Sequence, residues 1–70
     1  MPFLFGNSLE VCFLPKVEGP CGEKLARWHY DASEQRCIPF YYGGCQGNAN
    51  RFLNLDECER TCPKALLGTF

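Results

Sequence analysis

The chain has no long apolar run, no surplus of positive charge and only one histidine, and each lack removes a class of function. Its longest apolar stretches, Pro2 to Phe5 and Ala65 to Leu67, fall far short of the roughly 18–20 residues that a membrane span requires. Membrane insertion is not expected. A formal net charge of -1 leaves no general positive field, so counterion release cannot drive binding to nucleic acid or anionic lipid. With no Cys-x2-Cys pair and one histidine, a closed tetrahedral zinc site has no natural ligand set, and neither metal nor cofactor is expected. The lone His29 sits between Trp28 and Tyr30, where packing or surface exposure explains it better than general-base work, so the chain does not read as an enzyme. Absence of Arg-Gly-Asp removes integrin recognition through that tripeptide. Absence of Asn-x-Ser/Thr removes N-linked glycosylation.

What is abundant is cysteine: six in 70 residues. So short a chain buries too little apolar area to outweigh its conformational entropy comfortably, and cysteines at this density read as a disulfide scaffold formed in an oxidising, extracellular compartment. Met1 to Gly6 is too short for a signal peptide. The expectation is that any signal has been removed, that Met1 is a recombinant start, and that Pro2 to Asn7 is partly vector or native linker.

No repeat, low-complexity tract or charge run divides the chain. One domain over residues 9–63 is expected, between a flexible N-terminal tail over 1–8 and a C-terminal tail over 64–70. Val17 to Gly22 carries two glycines and a proline without apolar periodicity, which reads as an exposed extended loop anchored at Cys21. Two aromatic-rich runs, Leu25 to Tyr30 and Cys37 to Tyr42, flank the polar segment Asp31 to Gln35, the pattern of a β-hairpin with a long turn. Pro39 fits such a strand only where its missing N–H faces away from the ladder. Asn54 followed by Glu57 predicts an N-capped short helix carrying Cys58 and Cys62 on one face.

Six cysteines allow fifteen pairings, and spacing alone does not choose among them. The run Cys12-x8-Cys21-x15-Cys37-x7-Cys45-x12-Cys58-x3-Cys62, with Phe40-Tyr-Tyr-Gly-Gly-Cys45, Gly47-Asn-Ala-Asn50, Phe52 and Glu57-Cys-Glu-Arg-Thr-Cys62, resembles the Kunitz (pancreatic trypsin inhibitor) family without insertion or deletion. The resemblance implies a small disulfide-rich α+β fold, a twisted two-stranded antiparallel hairpin with a short C-terminal helix, and the pairs Cys12–Cys62, Cys21–Cys45 and Cys37–Cys58. It also implies a buried Asn50 whose amide satisfies backbone groups. Trp28, Tyr30, Phe40, Tyr42 and Phe52 read as core, because rings bury most area per residue in so small a domain. Gly43 and Gly44 read as structural, through close backbone approach or positive φ.

The same resemblance implies a protease-binding loop, Gly19, Pro20, Cys21, Gly22, Glu23, Lys24 and Leu25, with Tyr41 and Gln46 as a secondary edge. Such a loop enters a serine protease as a substrate would and resists turnover because its disulfide and core leave little ordering entropy to lose. At the primary-specificity position, where the family carries Lys, Arg or a large apolar residue, this chain has Gly22. A missing anchor of that kind is worth about 4–8 kcal/mol, or roughly three to six decades of affinity, so trypsin inhibition is expected to be weak or absent. Glu23 adds a carboxylate to be desolvated on the leaving-group side. The sequence therefore points to a monomeric inhibitor of an elastase-like serine protease. The alternatives are a non-inhibitory binding module for another extracellular or membrane protein, and an inhibitor of cysteine cathepsins. Lys16, Lys24 and Arg27 are too scattered for the dense basic cluster of a channel blocker. Lys24 and Arg27 are either charge contacts to a partner or ordinary solvated residues.

Overall fold

The structure, a computed structural model, describes residues 10–63. The tails expected over 1–8 and 64–70 lie outside the described residues, as does position 9. Strand β1 runs Leu25–Asp31 and β2 runs Arg36–Tyr42, paired antiparallel with Leu25 opposite Tyr42 and Asp31 opposite Arg36. The hairpin closes on the polar segment the sequence marks: the Asp31 carboxylate accepts from the amides of Ser33 and Glu34 at 2.9 and 3.1 Å and from the Ser33 hydroxyl at 2.6 Å. Gln35 takes a left-handed φ of 57° to turn the chain back into β2.

Pro39 sits where it costs nothing. Its partner Trp28 turns its N–H and C=O outward to Phe52, at 2.8 and 2.7 Å, so the Trp28–Pro39 pair has no ladder bond to lose. The hairpin thereby gains a bridge from Phe52 along its outer edge.

Helix α1, Leu55–Thr61, starts where the cap predicts. Asn54 accepts the Glu57 amide at 2.8 Å, while the Glu57 carboxylate reaches back to the Leu53 amide at 3.0 Å, one residue before the cap. Asp56 and Glu57 face the positive helix end, and an exposed Arg60–Asp56 pair at 2.8 Å ties one turn to the next. A helical turn over residues 10–12, which the sequence reading did not foresee, brings Cys12 to the core.

Because side chains alternate along a strand, the hairpin has two covered faces. On one, Tyr30 and Cys37 pack with Phe52, Cys12, Cys58 and Cys62 under α1, with Trp28 half-buried beside them. On the other, His29, Phe40 and Tyr42 are buried, the His29 ring meeting Phe40 edge-on at 5.4 Å. The disulfides are Cys12–Cys62, Cys21–Cys45 and Cys37–Cys58, the pairs the resemblance implies. Two join buried cysteines, whereas Cys21 is exposed. Among the described residues no helix is long and apolar enough to cross a membrane, and no group of three His, Cys, Asp or Glu side chains could hold a metal ion.

Candidate functional site

Pro20, Cys21, Gly22, Glu23 and Lys24 form an exposed ridge at the end of the molecule where the hairpin opens, with Gly19 half-buried before it and Leu25 starting β1 after it. The ridge has no regular secondary structure, so its shape rests on three tethers. The Cys21–Cys45 disulfide joins it to the segment after β2. The Glu23 amide donates to the Gly43 carbonyl at 3.1 Å, and the Gly43 amide donates to the Glu18 carbonyl at 2.7 Å. Gly43 is thus bonded to the chain on both sides of Cys21 and Gly22.

The two glycines before Cys45 have different reasons to be glycine. A Cβ on Gly43 would run into the Cys21 carbonyl oxygen and stand 2.9 Å from that of Glu18, so the close approach is the requirement there. Gly44 instead has φ +104°, a conformation L side chains rarely adopt, and the Glu23 carboxylate folds over it, 3.0 Å from where a Cβ would be. Gly19 meets both conditions, with φ +82° and the Cys45 carbonyl oxygen against its open face.

Gly22 is the opposite case. No atom lies within 4 Å of a Cβ built on it, and its φ is not among the positive ones, so a larger side chain would project freely into solvent. Tyr41 is 64% exposed and lines one shallow depression with Glu18, Gly19, Cys21 to Lys24 and Gly43. Gln46, also exposed, continues the edge beyond Cys45 with φ 59°. Its carbonyl accepts from the Tyr42 hydroxyl at 2.5 Å, and a Cβ built on Gly19 would stand 3.8 Å from the same ring, so this buried ring lies beside both segments joined by the disulfide.

Of the residues singled out as structural, Asn50 is 1% exposed and carries most of the wiring. Its amide accepts from the Tyr30 N–H at 2.8 Å and donates to the carbonyls of Tyr30 and Leu14 at 2.9 and 2.8 Å, tying the segment before the loop to β1. Asn48 repeats the device on Pro15 at 2.8 Å. Phe40 and Phe52 are buried and do not line the depression beside the ridge.

The shifted titrations fall at the other end of β1. Burial lowers the His29 pKa and raises that of Tyr30, while the Ser33 hydroxyl leads the hydrogen bonds that hold Asp31 low. His29 Nδ1 and the Tyr30 hydroxyl are buried without a hydrogen-bond partner. Sequence reasoning did not single out Arg51, whose guanidinium lies 4.1 Å from the centre of the Tyr42 ring. No sequence signal marks it, because it reaches the ring only through the tertiary path of residues 46–52.

The Kunitz/Bovine pancreatic trypsin inhibitor domain family matches residues 11–63. The chain is 58% identical to papilin of Drosophila melanogaster over 59 residues, which is 84% of this chain and 2% of papilin. It is 55% identical over 57 residues to KappaPI-actitoxin-Avd3a of Anemonia sulcata, covering 81% of this chain and 92% of that one. Its span is 37% of the Kunitz-type serine protease inhibitor bitisilin-3 of Bitis gabonica, so the chain corresponds to one stretch of several longer relatives. Among solved structures, the complex between SmCI and human carboxypeptidase A4 matches with a TM-score of 0.74 at 43% identity, over 76% of this chain and 32% of that one.

Proposed function

Since the chain belongs to the Kunitz/bovine pancreatic trypsin inhibitor family, we propose that it works outside the cell as a monomeric inhibitor of a serine protease with a shallow or blocked primary pocket, of the elastase type. The loop Gly19 to Leu25 would occupy the protease cleft, with Gly22 at the pocket and Tyr41 and Gln46 as the second edge. One observation carries this reading. The backbone on both sides of Gly22 is bonded to Gly43, while the space a side chain at position 22 would fill is empty. A tethered backbone needs little further ordering on binding. A pocket too small for a side chain loses little by receiving hydrogen, whereas a deep acidic or apolar pocket loses its main contact.

Glu23 favours a second reading. Its carboxylate lies over Gly44 on the side where an enzyme would take the leaving group, and desolvating it there costs affinity. A partner that avoids the loop as a substrate mimic would make the chain a non-inhibitory binding module for another extracellular or membrane protein. An inhibition panel separates the two. Under the first reading, pancreatic and neutrophil elastases are inhibited far more tightly than trypsin, chymotrypsin or a cysteine cathepsin. Inhibition of none of them replaces it with the second, and inhibition of the cathepsin alone moves the target to another protease class.

A further inference from the structure

The segment after Cys45 is bent against its own preference. Gln46 and Gly47 hold consecutive positive φ values of 59° and 92°, and only the second residue is a glycine. A residue with a Cβ stays in the left-handed region only where its surroundings hold it. Here the holding groups converge on one carbonyl. Gln46 O accepts from the Tyr42 hydroxyl at 2.5 Å and from Arg51 Nη1 at 3.3 Å, and the same Nη1 donates to Asn48 O at 3.2 Å. The guanidinium is stacked on the Tyr42 ring, 4.1 Å from its centre, and lies against Gly47, where a Cβ would stand 2.7 Å from Nη1. The backbone beneath Arg51 is fixed as well, because its neighbour Phe52 is bonded in both directions to Trp28 of β1.

We propose that Arg51 is a positioning residue for the candidate binding surface: its guanidinium closes the Gln46–Asn48 turn against Tyr42 and so holds Cys45, and through the disulfide Cys21, in one conformation. Charge, planarity and donor count all contribute. A planar cation stacks on the ring face while its N–H groups reach carbonyls in the same plane, which neither a neutral side chain nor a point charge reproduces fully. The consequence for protease binding rests on the inhibitory reading above, but the rigidity itself does not.

The test therefore has a protease-free arm. In the intact protein, Arg51→Met keeps the methylene stem over Tyr42 and removes the donors and the charge, and the rate at which dithiothreitol opens each disulfide is followed by peptide mapping. Reduction of Cys21–Cys45 should quicken about tenfold, equivalent to about 1.4 kcal/mol, with Cys12–Cys62 unchanged. Arg51→Lys, which keeps a cation over the ring, should return part of the protection. An unchanged Cys21–Cys45 rate, or equal quickening of all three bridges, overturns the proposal.

The second arm places Arg51→Met in a Gly22→Arg background and follows dissociation of the trypsin complex. Faster release supports the proposal, and release at the parent rate from a stable complex overturns it. If the Gly22→Arg protein binds no trypsin, the inhibitory reading fails, while the thiol arm still decides the role of Arg51.

Discussion

The amide of Gly43 donates to the carbonyl of Glu18 at 2.7 Å, and the two backbones are so close that a methyl group at Gly43 would stand 2.9 Å from that oxygen and overlap the one of Cys21. Gly43→Ala should therefore push the ridge off β2. Destabilisation of about 2 kcal/mol is expected from such overpacking, read by guanidinium titration. Hydrogen exchange at the Glu23 amide should quicken beyond what the global change explains. Wild-type stability in Gly43→Ala would mean that the contact is easily relieved.

The three disulfides divide the labour unequally. In the chain-entropy account each contributes about 3–4 kcal/mol, with Cys12–Cys62 largest because its sequence separation is 50 against 24 and 21. Full reduction should unfold the domain, seen as loss of near-ultraviolet dichroism. Limited reduction should open Cys21–Cys45 first, because Cys21 is exposed while the other two bridges are buried. More than a trace of free thiol in the native protein would contradict the scaffold.

Gly22→Arg should convert the chain into a trypsin inhibitor, with affinity rising by about three decades or more, the value of one buried anchor. The substitution meets no neighbour and requires no positive φ, so the fold should not change. Glu23→Ala should add to the gain without simple additivity, because the two positions are adjacent. A folded double variant inert toward trypsin would show that the ridge is not substrate-like.

His29 predicts the pH dependence of stability. It is 7% exposed, its Nδ1 has no hydrogen-bond partner of good geometry, and burial holds its pKa below the usual 6.5 against the opposing pull of the Tyr30 backbone and, after it, of Asp31, with Lys16 adding to the lowering. The native state then binds fewer protons than the unfolded chain between the lowered value and 6.5. Stability is full above 6.5 and falls as pH drops through that window. Asp31, held low, keeps its contribution above its usual 3.8 and loses it only as pH falls below that value. His29→Phe keeps a ring against Phe40 and removes the orphaned nitrogen. It should abolish the upper step and raise stability at pH 7 by about 1 kcal/mol. Denaturant midpoints of both proteins from pH 4 to 8 check this, and a step that persists in His29→Phe would assign it elsewhere.

Local chemistry was legible before any coordinates. The hairpin runs, read as Leu25 to Tyr30 and Cys37 to Tyr42, extend by one residue at the turn, to Asp31 and Arg36. The Asn54 cap was placed correctly because capping is settled within one turn of chain. The brief helical turn over 10–12 was not foreseen; it carries Cys12, which is buried in the core.

The sequence by itself determined the hairpin, the capped helix and the disulfide-rich class, because turn residues, aromatic runs and caps act over short stretches of chain, whereas the cysteine pairing was implied by the family resemblance and not by spacing. It also located the ridge and the odd residue on it, Gly22. Tertiary structure alone decided which of two reasons applies to each of Gly43 and Gly44, that His29 is buried against Phe40, and that Arg51 comes to rest on Tyr42. Those outcomes depend on segments distant in sequence meeting at a few ångströms, and the free energy of such a meeting belongs to the packed whole rather than to any stretch of residues.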